Sequence, residues 1–340
     1  MIKLNSKIYV AGHTGLVGSA ILRKLRQKGY KNIFTISRKK LDLKDQNKVF
    51  RYLKKIKPDF IFIAAAKVGG IYSNSNFKAD FIYDNLSIQL NLIEGAYMSG
   101  VKDLIFLGSS CVYPRMCKQP IKEKYLLTGK LEKTNDAYAI AKIAGIKMCE
   151  SYNTQYGTNY RCLMPTNTFG PNDNYHKLNS HFIPALLRKI YQIERSNNNI
   201  IKIWGDGSPR REIIYSEDIA DACIFFMNKK TKHSLINIGT GNDFKIKEYV
   251  SLFLKILLPK RKIKIVYDKS KPNGTPRKVL DVSLAKKYGW TAKTSIKEAV
   301  FKTYDEYKYS PMLFSSAFSG SCKQSTIVKK NGLTCKRRKI

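Results

Sequence analysis

The fold is decided by nine residues near the amino terminus, VAGHTGLVG at positions 10–18. An apolar run at 7–11 predicts a strand that leads into them, and the amphipathic stretch that they open predicts a helix. Glycines spaced GxxGxxG let the backbone approach a ligand closely, and the free N–H groups at a helix start attract a pyrophosphate. A plain strand-to-helix turn needs one glycine, not three. The segment therefore predicts a dinucleotide-binding loop formed by Gly12, His13, Thr14, Gly15, Leu16, Val17 and Gly18.

Beyond this loop, β-rich runs alternate with amphipathic helical stretches. The predicted strands lie at 7–11, 33–37, 60–64, 104–108 and 160–164, and a long helix is predicted at 138–156. This alternation predicts an α/β fold with a doubly wound parallel sheet of the Rossmann type.

The domain organisation follows from where this alternation breaks. Residues 1–170 are expected to form the dinucleotide-binding domain, and segments at 213–227 and 235–239 predict a return to it near 213–240. Residues 171–309, with a helix predicted at 181–193, are expected to form mainly a smaller, sequence-interleaved substrate-binding domain. Residues 310–340 contain seven Lys or Arg and no acidic residue, which predicts a disordered basic tail.

The totals favour a cytoplasmic enzyme. With 340 residues and 43% hydrophobic content, the chain can bury one large core or a main domain with a smaller one attached. It has no run of about 18 apolar residues and no apolar segment at its start, so neither a membrane helix nor a signal peptide is predicted. Its seven cysteines form no CxxC pair, which indicates reduced thiols and no metal site.

The net charge of +37 leaves two interpretations open. A polyanionic partner, such as nucleic acid or a membrane surface, would use such a charge. However, the lysines are spread along the whole chain without an RNA-binding motif, which favours solvated faces and no nucleic-acid or membrane partner. A positive field would also assist the capture of a small anionic substrate.

The end of the second predicted strand indicates which dinucleotide binds. Ser37, Arg38, Lys39 and Lys40 lie about twenty residues past Gly18, where an NAD enzyme usually places an acidic residue for the ribose hydroxyls. Arg38 can bind an additional 2′-phosphate through two hydrogen bonds, and no carboxylate follows before Asp42. We therefore predict NADP(H) rather than NAD.

Tyr138 and Lys142 form a YxxxK pair, which places both side chains on one face of a helix, one turn apart. A neighbouring ammonium is expected to lower the pKa of the tyrosine and so to make its phenol a usable acid or base. Random YxxxK pairs are common among 21 tyrosines, but here Ser109 precedes the pair at the end of a predicted strand. The order of glycine loop, serine and YxxxK predicts hydride transfer to a carbonyl carbon, with Ser109 polarising the carbonyl.

Seven longer strings carry a resemblance to a known family. The strings are AAAKVGGI at 64–71, GSSCVYP at 108–114, AYAIAKIAGIKMCESYN at 137–153, MPTNTFGP at 164–171, NSHFIPALLRK at 179–189, INIGTG at 236–241 and SKPNGTPRKVLD at 270–281. Over about 7–307, the chain resembles the GDP-L-fucose synthases, which are extended short-chain dehydrogenases/reductases. Residues 310–340 lie outside the resemblance.

The resemblance implies a two-step reaction: 3,5-epimerisation of GDP-4-keto-6-deoxy-D-mannose, then reduction of its 4-keto group by NADPH. It assigns the epimerising acid and base to Cys111 and His181, and it implies a homodimer. Cys111 lies two residues after Ser109, so a continuing strand would point both side chains to one side.

The resemblance also implies two sets of contacts. Besides the glycine loop and Arg38, the NADP(H) contacts would be Leu43, Leu107, Gly108, Ser110, Lys142, Pro165, Thr166, Asn167, Thr168 and His181. The substrate contacts would be Lys189, Trp204, Arg211, Lys271, Asn273 and Arg277. Asn273 stands where the family pattern has an aspartate, a difference that bears on fine specificity.

Two alternatives stay open. One is a nucleotide-sugar 4-epimerase or dehydratase of the same fold, although a dehydratase usually has threonine and an acidic pair where Ser110 and Cys111 stand. The other is a non-catalytic protein that binds nucleotide or nucleic acid through its positive charge.

Overall fold

A six-stranded parallel sheet lies at the centre of the computed structural model, which describes residues 1–177, 179–271 and 273–309. The strands in chain order are β1 (Ile8–Ala11), β2 (Ile33–Phe34), β3 (Phe60–Ile63), β4 (Asp103–Leu107), β5 (Asn159–Pro165), β6 (Asn167–Phe169), β7 (Ile200–Trp204), β8 (Arg210–Arg211), β9 (Ile213–Tyr215), β10 (Leu235–Ile238), β11 (Phe244–Lys245), β12 (Lys264–Asp268) and β13 (Arg277–Lys278). The central sheet has the spatial order β10-β5-β4-β3-β1-β2.

Ten α-helices accompany the strands in the described part of the chain. They are α1 (Leu16–Gln27), α2 (Gln46–Ile56), α3 (Ile71–Asn76), α4 (Lys78–Met98), α5 (Asp136–Tyr156), α6 (Phe182–Glu194), α7 (Ser216–Asn228), α8 (Ile246–Leu257), α9 (Ser283–Lys287) and α10 (Ile296–Tyr309).

The sheet buries apolar side chains on both of its faces, as a doubly wound fold requires. Successive strand residues point to opposite faces, so Tyr9 and Ala11 of β1 join one apolar cluster while Ile8 and Val10 join the other. Helices α2, α4 and α5 cover the first face, and α1 and α7 cover the second. The predicted α/β fold with a doubly wound parallel sheet is confirmed.

The sheet reverses its strand order at β1, which pairs with β2 on one side and with β3 on the other. Ligands of such sheets bind in the crevice beyond the carboxyl ends of the strands, at the point of reversal. The loops after β1 and β3 meet there, since a Cβ on Gly12 would lie 2.6 Å from the Ala65 nitrogen. The glycine loop therefore lies where a ligand is expected.

A third apolar cluster lies outside the central sheet. It is formed by α6, α8 and α10 packing on the parallel pair of β7 and β12. Two further small sheets have the strand orders β11-β8-β13 and β6-β9. The position of β10 beside β5 shows the chain returning to the central sheet, while the domain boundaries themselves stay a prediction.

Two details differ from the sequence analysis. Strand β2 ends at Phe34 instead of 37, because the chain then turns, with Lys40 and Leu41 both donating backbone N–H bonds of 3.0 Å to the Ser37 carbonyl. The long helix begins at Asp136, two residues before Tyr138. The predicted disordered tail at 310–340 lies outside the described residues.

Two absences concern the described residues alone. Within 1–177, 179–271 and 273–309, no helix combines the length and apolar character needed to cross a membrane. The same ranges hold no group of three His, Cys, Asp or Glu side chains suited to a metal ion.

Candidate active site

The glycine loop is shaped by two positions that exclude a side chain. Gly12 has φ of +87°, in the left-handed region that favours glycine. At Gly18, in the first turn of α1, a Cβ would overlap the carbonyl oxygen of Gly12. The loop is thereby held tightly against the helix start.

The amino terminus of α1 offers its N–H groups to the crevice. Gly15 is the N-cap residue, it supplies no capping side chain, and the first turn holds no acidic residue. Thr14 and Gly15 are exposed, whereas Leu16 and Val17 are half-buried. Burial, with a contribution from the charge of Arg26, lowers the pKa of the neighbouring His13. This arrangement fits a pyrophosphate group.

The basic run beyond β2 is exposed at Arg38, Lys39 and Lys40. Leu43, which follows it, is half-buried, and its carbonyl accepts a 2.9 Å bond from the Asn91 amide. Free cations at the end of β2 fit an additional phosphate on a ribose.

The turn after β4 departs from the predicted extended strand. Residues Ser110–Val112 form a short 3₁₀ helix, with Ser109 as its N-cap. The Cys111 backbone N–H donates to Ser109 Oγ at 3.3 Å, so the expectation that Ser109 and Cys111 extend from a continuing strand is wrong. The two side chains still meet, because the turn folds the cysteine back toward the serine.

Tyr138 and Lys142 lie on α5 with different partners. Burial raises the pKa of Tyr138, the charge of Cys111 raises it further, and a hydrogen bond with Ser109 lowers it only in part. Lys142 Nζ donates to the Leu107 carbonyl at 2.8 Å and lies 4.5 Å from the centre of the Phe106 ring. The expected lowering of the tyrosine pKa by Lys142 is therefore not found, because burial dominates. The same burial lowers the pKa of Lys142 to about 8.

Cys111 is surrounded by donors. Lys278 Nζ and Asn135 Nδ2 each lie 3.3 Å from its sulfur. Burial raises the pKa of the thiol, but the charge of Lys278 and hydrogen bonds from Ser109, Lys278 and Asn135 outweigh it and lower the pKa overall. A thiol with a lowered pKa can act as a base.

His181 is the N-cap residue of α6. The segment before it is tied to the AAAKVGGI loop, because Gly70 N–H donates to the Asn179 carbonyl at 3.0 Å and Ser73 Oγ donates to Asn179 Oδ1 at 2.5 Å. The ring remains open to solvent, yet surrounding protein atoms, together with the charge of Lys278, lower its pKa. Lys278 thus acts electrostatically on both His181 and Cys111.

A buried glutamate, Glu212, connects the loops of the site. Its Oε1 accepts N–H bonds from Thr240 and Gly241 at 2.6 and 2.7 Å, and its Oε2 accepts one from Leu280 at 2.8 Å. Its backbone carbonyl accepts from Thr166 Oγ1 at 3.2 Å and Asn167 Nδ2 at 2.8 Å. Sequence reasoning missed this residue.

The loop that Glu212 supports carries the remaining predicted cofactor contacts. Thr166 is buried, while Pro165, Asn167 and Thr168 are half-buried. Thr166 N–H donates to the Ile238 carbonyl of β10 at 3.1 Å, which attaches the loop to the central sheet. Just beyond the neighbouring strand β4, the Gly108 N–H donates to the Leu163 carbonyl at 2.9 Å. Ser110, which follows, is buried.

Three of the predicted substrate contacts form one group. Trp204 is 51% exposed, and Lys271 Nζ lies 5.8 Å from the centre of its ring. Asn273 Oδ1 accepts the N–H of Asp206 at 3.0 Å and so holds the turn after Trp204. The group offers an aromatic face and a cation to a ligand.

The other three predicted substrate contacts differ in how far their side chains are free to bind a ligand. They are Arg211, Arg277 and Lys189. Arg211 is half-buried beside Gly274, and burial lowers its pKa although Cys111 and Glu132 oppose the shift. Arg277 donates to Asp243 at 2.7 and 3.1 Å, so it is already neutralised. Lys189 Nζ donates to the Lys202 carbonyl at 2.6 Å and faces a cavity of about 320 Å³.

A smaller cavity, of about 30 Å³, is lined in part by Cys111. It is lined by, among others, Ser110, Asn135, Thr275, Arg277 and Lys278. The larger cavity beside Lys189 has none of the catalytic candidates among its lining residues. The catalytic candidates thus gather around Cys111, away from the larger cavity.

Comparison with known proteins identifies the class. Residues 8–239 match the NAD dependent epimerase/dehydratase family, and the chain belongs to that family. A putative GDP-L-fucose synthase 2 from Arabidopsis thaliana is 47% identical over 90% of this chain and 93% of its own. The GDP-L-fucose synthase of Escherichia coli K12 is 45% identical over 88% of this chain and 95% of its own. The resemblance to GDP-L-fucose synthases is thus confirmed.

A solved structure agrees with this placement. The GDP-mannoheptose C4 reductase MlghC from Campylobacter jejuni, with NADP bound, superposes with a TM-score of 0.81. It is 37% identical, and the match covers 91% of this chain and all of that one. The chain therefore shares a fold on which nucleotide-sugar enzymes are built.

We predict that Glu212→Gln lowers the free energy of unfolding by about 3 kcal/mol, because an amide N–H would replace an acceptor facing backbone N–H groups. Denaturant unfolding followed by circular dichroism measures the change. Glu298→Gln, at an exposed ion pair with Lys302, is the matched control and should change stability by less than about 0.5 kcal/mol. Equal effects in the two variants would contradict a connecting role for Glu212.

Proposed function

We propose that the protein converts GDP-4-keto-6-deoxy-D-mannose into GDP-L-fucose by 3,5-epimerisation and then NADPH-dependent 4-keto reduction. The observation that carries the proposal is that Cys111, Ser109 and Tyr138 interact in one site. The chain also matches GDP-L-fucose synthases at 45–47% identity over about nine-tenths of its length.

The cofactor is NADP(H), which when bound supplies a hydride to the sugar carbonyl carbon. The glycine loop and the uncapped start of α1 would hold its pyrophosphate, and Arg38 its 2′-phosphate. Thr166 and Asn167 are fixed by Glu212 and would border its nicotinamide end.

Reduction requires a proton for the carbonyl oxygen. Tyr138 is protonated at neutral pH, and burial raises its pKa further, so the phenol carries the proton that it can donate; Ser109 shares a hydrogen bond with it. Lys142, anchored to the Leu107 carbonyl, supports this part of α5 beside β4.

Epimerisation requires a base and an acid at the carbons on either side of the ketone. The ketone acidifies the hydrogens of both carbons, so a base with a lowered pKa can remove them through an enolate. Cys111 is that base, and Ser109 and Tyr138 stabilise the enolate oxygen. His181 then returns a proton. Arg211, Lys271 and Trp204 would bind the GDP portion.

We further propose a cytoplasmic homodimer formed through α4 and α5. Apolar side chains are exposed on both helices, among them Tyr83 at 64%, Met98 at 62% and Ile140 at 49%. The helices lie side by side, with the rings of Tyr97 and Tyr156 stacked 4.2 Å apart. Exposed apolar side chains on two adjacent helices are typical of a protein contact.

The first test is NADPH oxidation at 340 nm with GDP-4-keto-6-deoxy-D-mannose, followed by identification of the product sugar. Turnover to GDP-L-fucose is expected. A folded protein that binds NADPH but does not oxidise it with this substrate would contradict the proposal and point to another keto-sugar.

The division of roles predicts different effects in three variants. Cys111→Ser and His181→Gln should reduce solvent-deuterium incorporation at C3 and C5 by about 100-fold, because each lacks one proton-transfer group. Tyr138→Phe should instead reduce NADPH oxidation by about 100-fold and reduce incorporation much less, because Ser109 still stabilises the enolate oxygen. Mass spectrometry of the sugar measures incorporation. Equal loss of both steps in all three variants would refute this division.

Arg38→Ala should raise the KM for NADPH about tenfold or more, since it removes a charge-assisted contact with the 2′-phosphate. The KM for NADH, which lacks that phosphate, should stay unchanged. Lys31→Ala, at an exposed lysine before β2, is the control for loss of one charge. A parallel rise for both cofactors would show that Arg38 does not select NADP(H).

Analytical ultracentrifugation should give twice the chain mass, and Tyr83→Glu with Ile140→Glu should give a monomer, because two charges would be buried in the contact. Leu4→Glu, at a position 63% exposed outside these helices, is the control and should stay dimeric. A wild-type monomer would refute the homodimer.

A further inference from the structure

Lys278 is a residue that the sequence analysis did not select, although it follows Arg277 in the TPRK run. It is half-buried at the end of β13, where it pairs with Arg211 of β8 in a parallel register. Its Nζ lies 3.3 Å from the sulfur of Cys111.

The backbone around Lys278 is held on both sides. Val279 N–H donates to the Gln119 side chain at 3.0 Å, and its carbonyl accepts from Ile121 N–H at 2.8 Å. Leu280 N–H donates to the buried carboxylate of Glu212 at 2.8 Å. A fixed strand, and not a mobile loop, therefore positions the ammonium beside the thiol.

Two other charged side chains near Cys111 already have partners of opposite charge. Arg277 is occupied by Asp243, 2.7 Å away. Glu132 is bound by Arg115 at 3.2 Å, and it interacts with Arg211 as well.

The other groups that act on the thiol do not supply a cation in contact with it. Tyr138 is a neutral phenol whose pKa burial raises, and Asn135 is a neutral donor. Arg211 interacts with the sulfur through its charge, but its own Nη1 donates to the Arg210 carbonyl at 2.8 Å. Lys278 is thus the cation in hydrogen-bond contact with the sulfur.

We propose that Lys278 is a positioning residue for the epimerisation step: its ammonium, 3.3 Å from the sulfur, holds Cys111 as the thiolate base. This inference rests on the proposed function. A cation in contact with a thiol favours its ionised form, in which the sulfur can accept a proton from the sugar carbon.

The sign of the effect on the thiol follows from the charge of Lys278. Removing that charge destabilises the thiolate and so raises the pKa of Cys111. The limb of the pH profile of deuterium incorporation that reports the ionisation of Cys111 should therefore move to higher pH in Lys278→Met.

The closing experiment needs no sugar substrate. Alkylation of Cys111 by iodoacetamide is followed against pH by mass spectrometry of the peptide that contains it, in the full-length protein. Lys278→Met and Lys278→Gln should each reduce the alkylation rate at pH 7 about tenfold, which corresponds to a rise of about one unit in the pKa of the thiol. Lys278→Arg keeps the charge and should retain most of the wild-type rate. Lys287→Met, at an exposed lysine on α9, controls for the loss of net charge and should leave the rate unchanged.

The outcomes separate the inference from the proposed function. An unchanged alkylation profile in folded Lys278→Met and Lys278→Gln would overturn the role of Lys278, whatever the substrate is. A shifted profile in an enzyme that does not turn over GDP-4-keto-6-deoxy-D-mannose would support the lysine–thiolate pair and refute only the proposed substrate. A shift of the same size in Lys287→Met would also overturn the inference.

Discussion

The buried carboxylate of Glu212 is the interaction on which the site depends. A charge inside the protein is tolerated only when it is compensated by hydrogen bonds, and Glu212 receives them from Thr240, Gly241 and Leu280. Those donors belong to the loop after β10 and the chain after β13, while its own carbonyl holds the loop after β5. Gly239 leaves the necessary space, because a Cβ there would overlap the carboxylate. Three loops that are distant in sequence are thereby fixed to one residue.

Charge composition determines which cations remain available for chemistry. The chain has 62 Lys and Arg but only 25 Asp and Glu, so carboxylates are scarce. Several are shared: Asp243 binds both Arg210 and Arg277, and Asp84 binds both Lys44 and Lys67. Cations that are not neutralised in this way can face a thiol or an anionic ligand. Lys278 beside Cys111 is such a case, since its contact is the sulfur itself.

Burial then sets the proton chemistry of each candidate. It raises the pKa of Tyr138, which stays a proton donor, and it lowers the pKa of Lys142. At Cys111, burial is opposed by a cation and by three hydrogen bonds, so the thiol shifts toward the thiolate. The reversal of strand order at β1 creates the crevice, and the ends of β4 and β5 bring these groups to the same edge of the sheet.

The sequence by itself determined the features that depend on local pattern. Glycine spacing predicted the loop at 10–18, alternating apolar runs predicted the parallel sheet, and the strings around Ser109, Tyr138 and His181 predicted the family. Only the tertiary structure decided which groups meet. Cys111 and Lys278 are 167 positions apart, and Glu212 is 68 from Leu280, so neither contact leaves a periodic signal in the chain. The resemblance placed Arg277 among the substrate contacts, but Asp243 binds it, and a buried carboxylate 34 residues away cannot be recognised from local spacing. Burial is likewise a property of the folded chain, which is why the pKa of Tyr138 moved opposite to the expectation from its YxxxK neighbour.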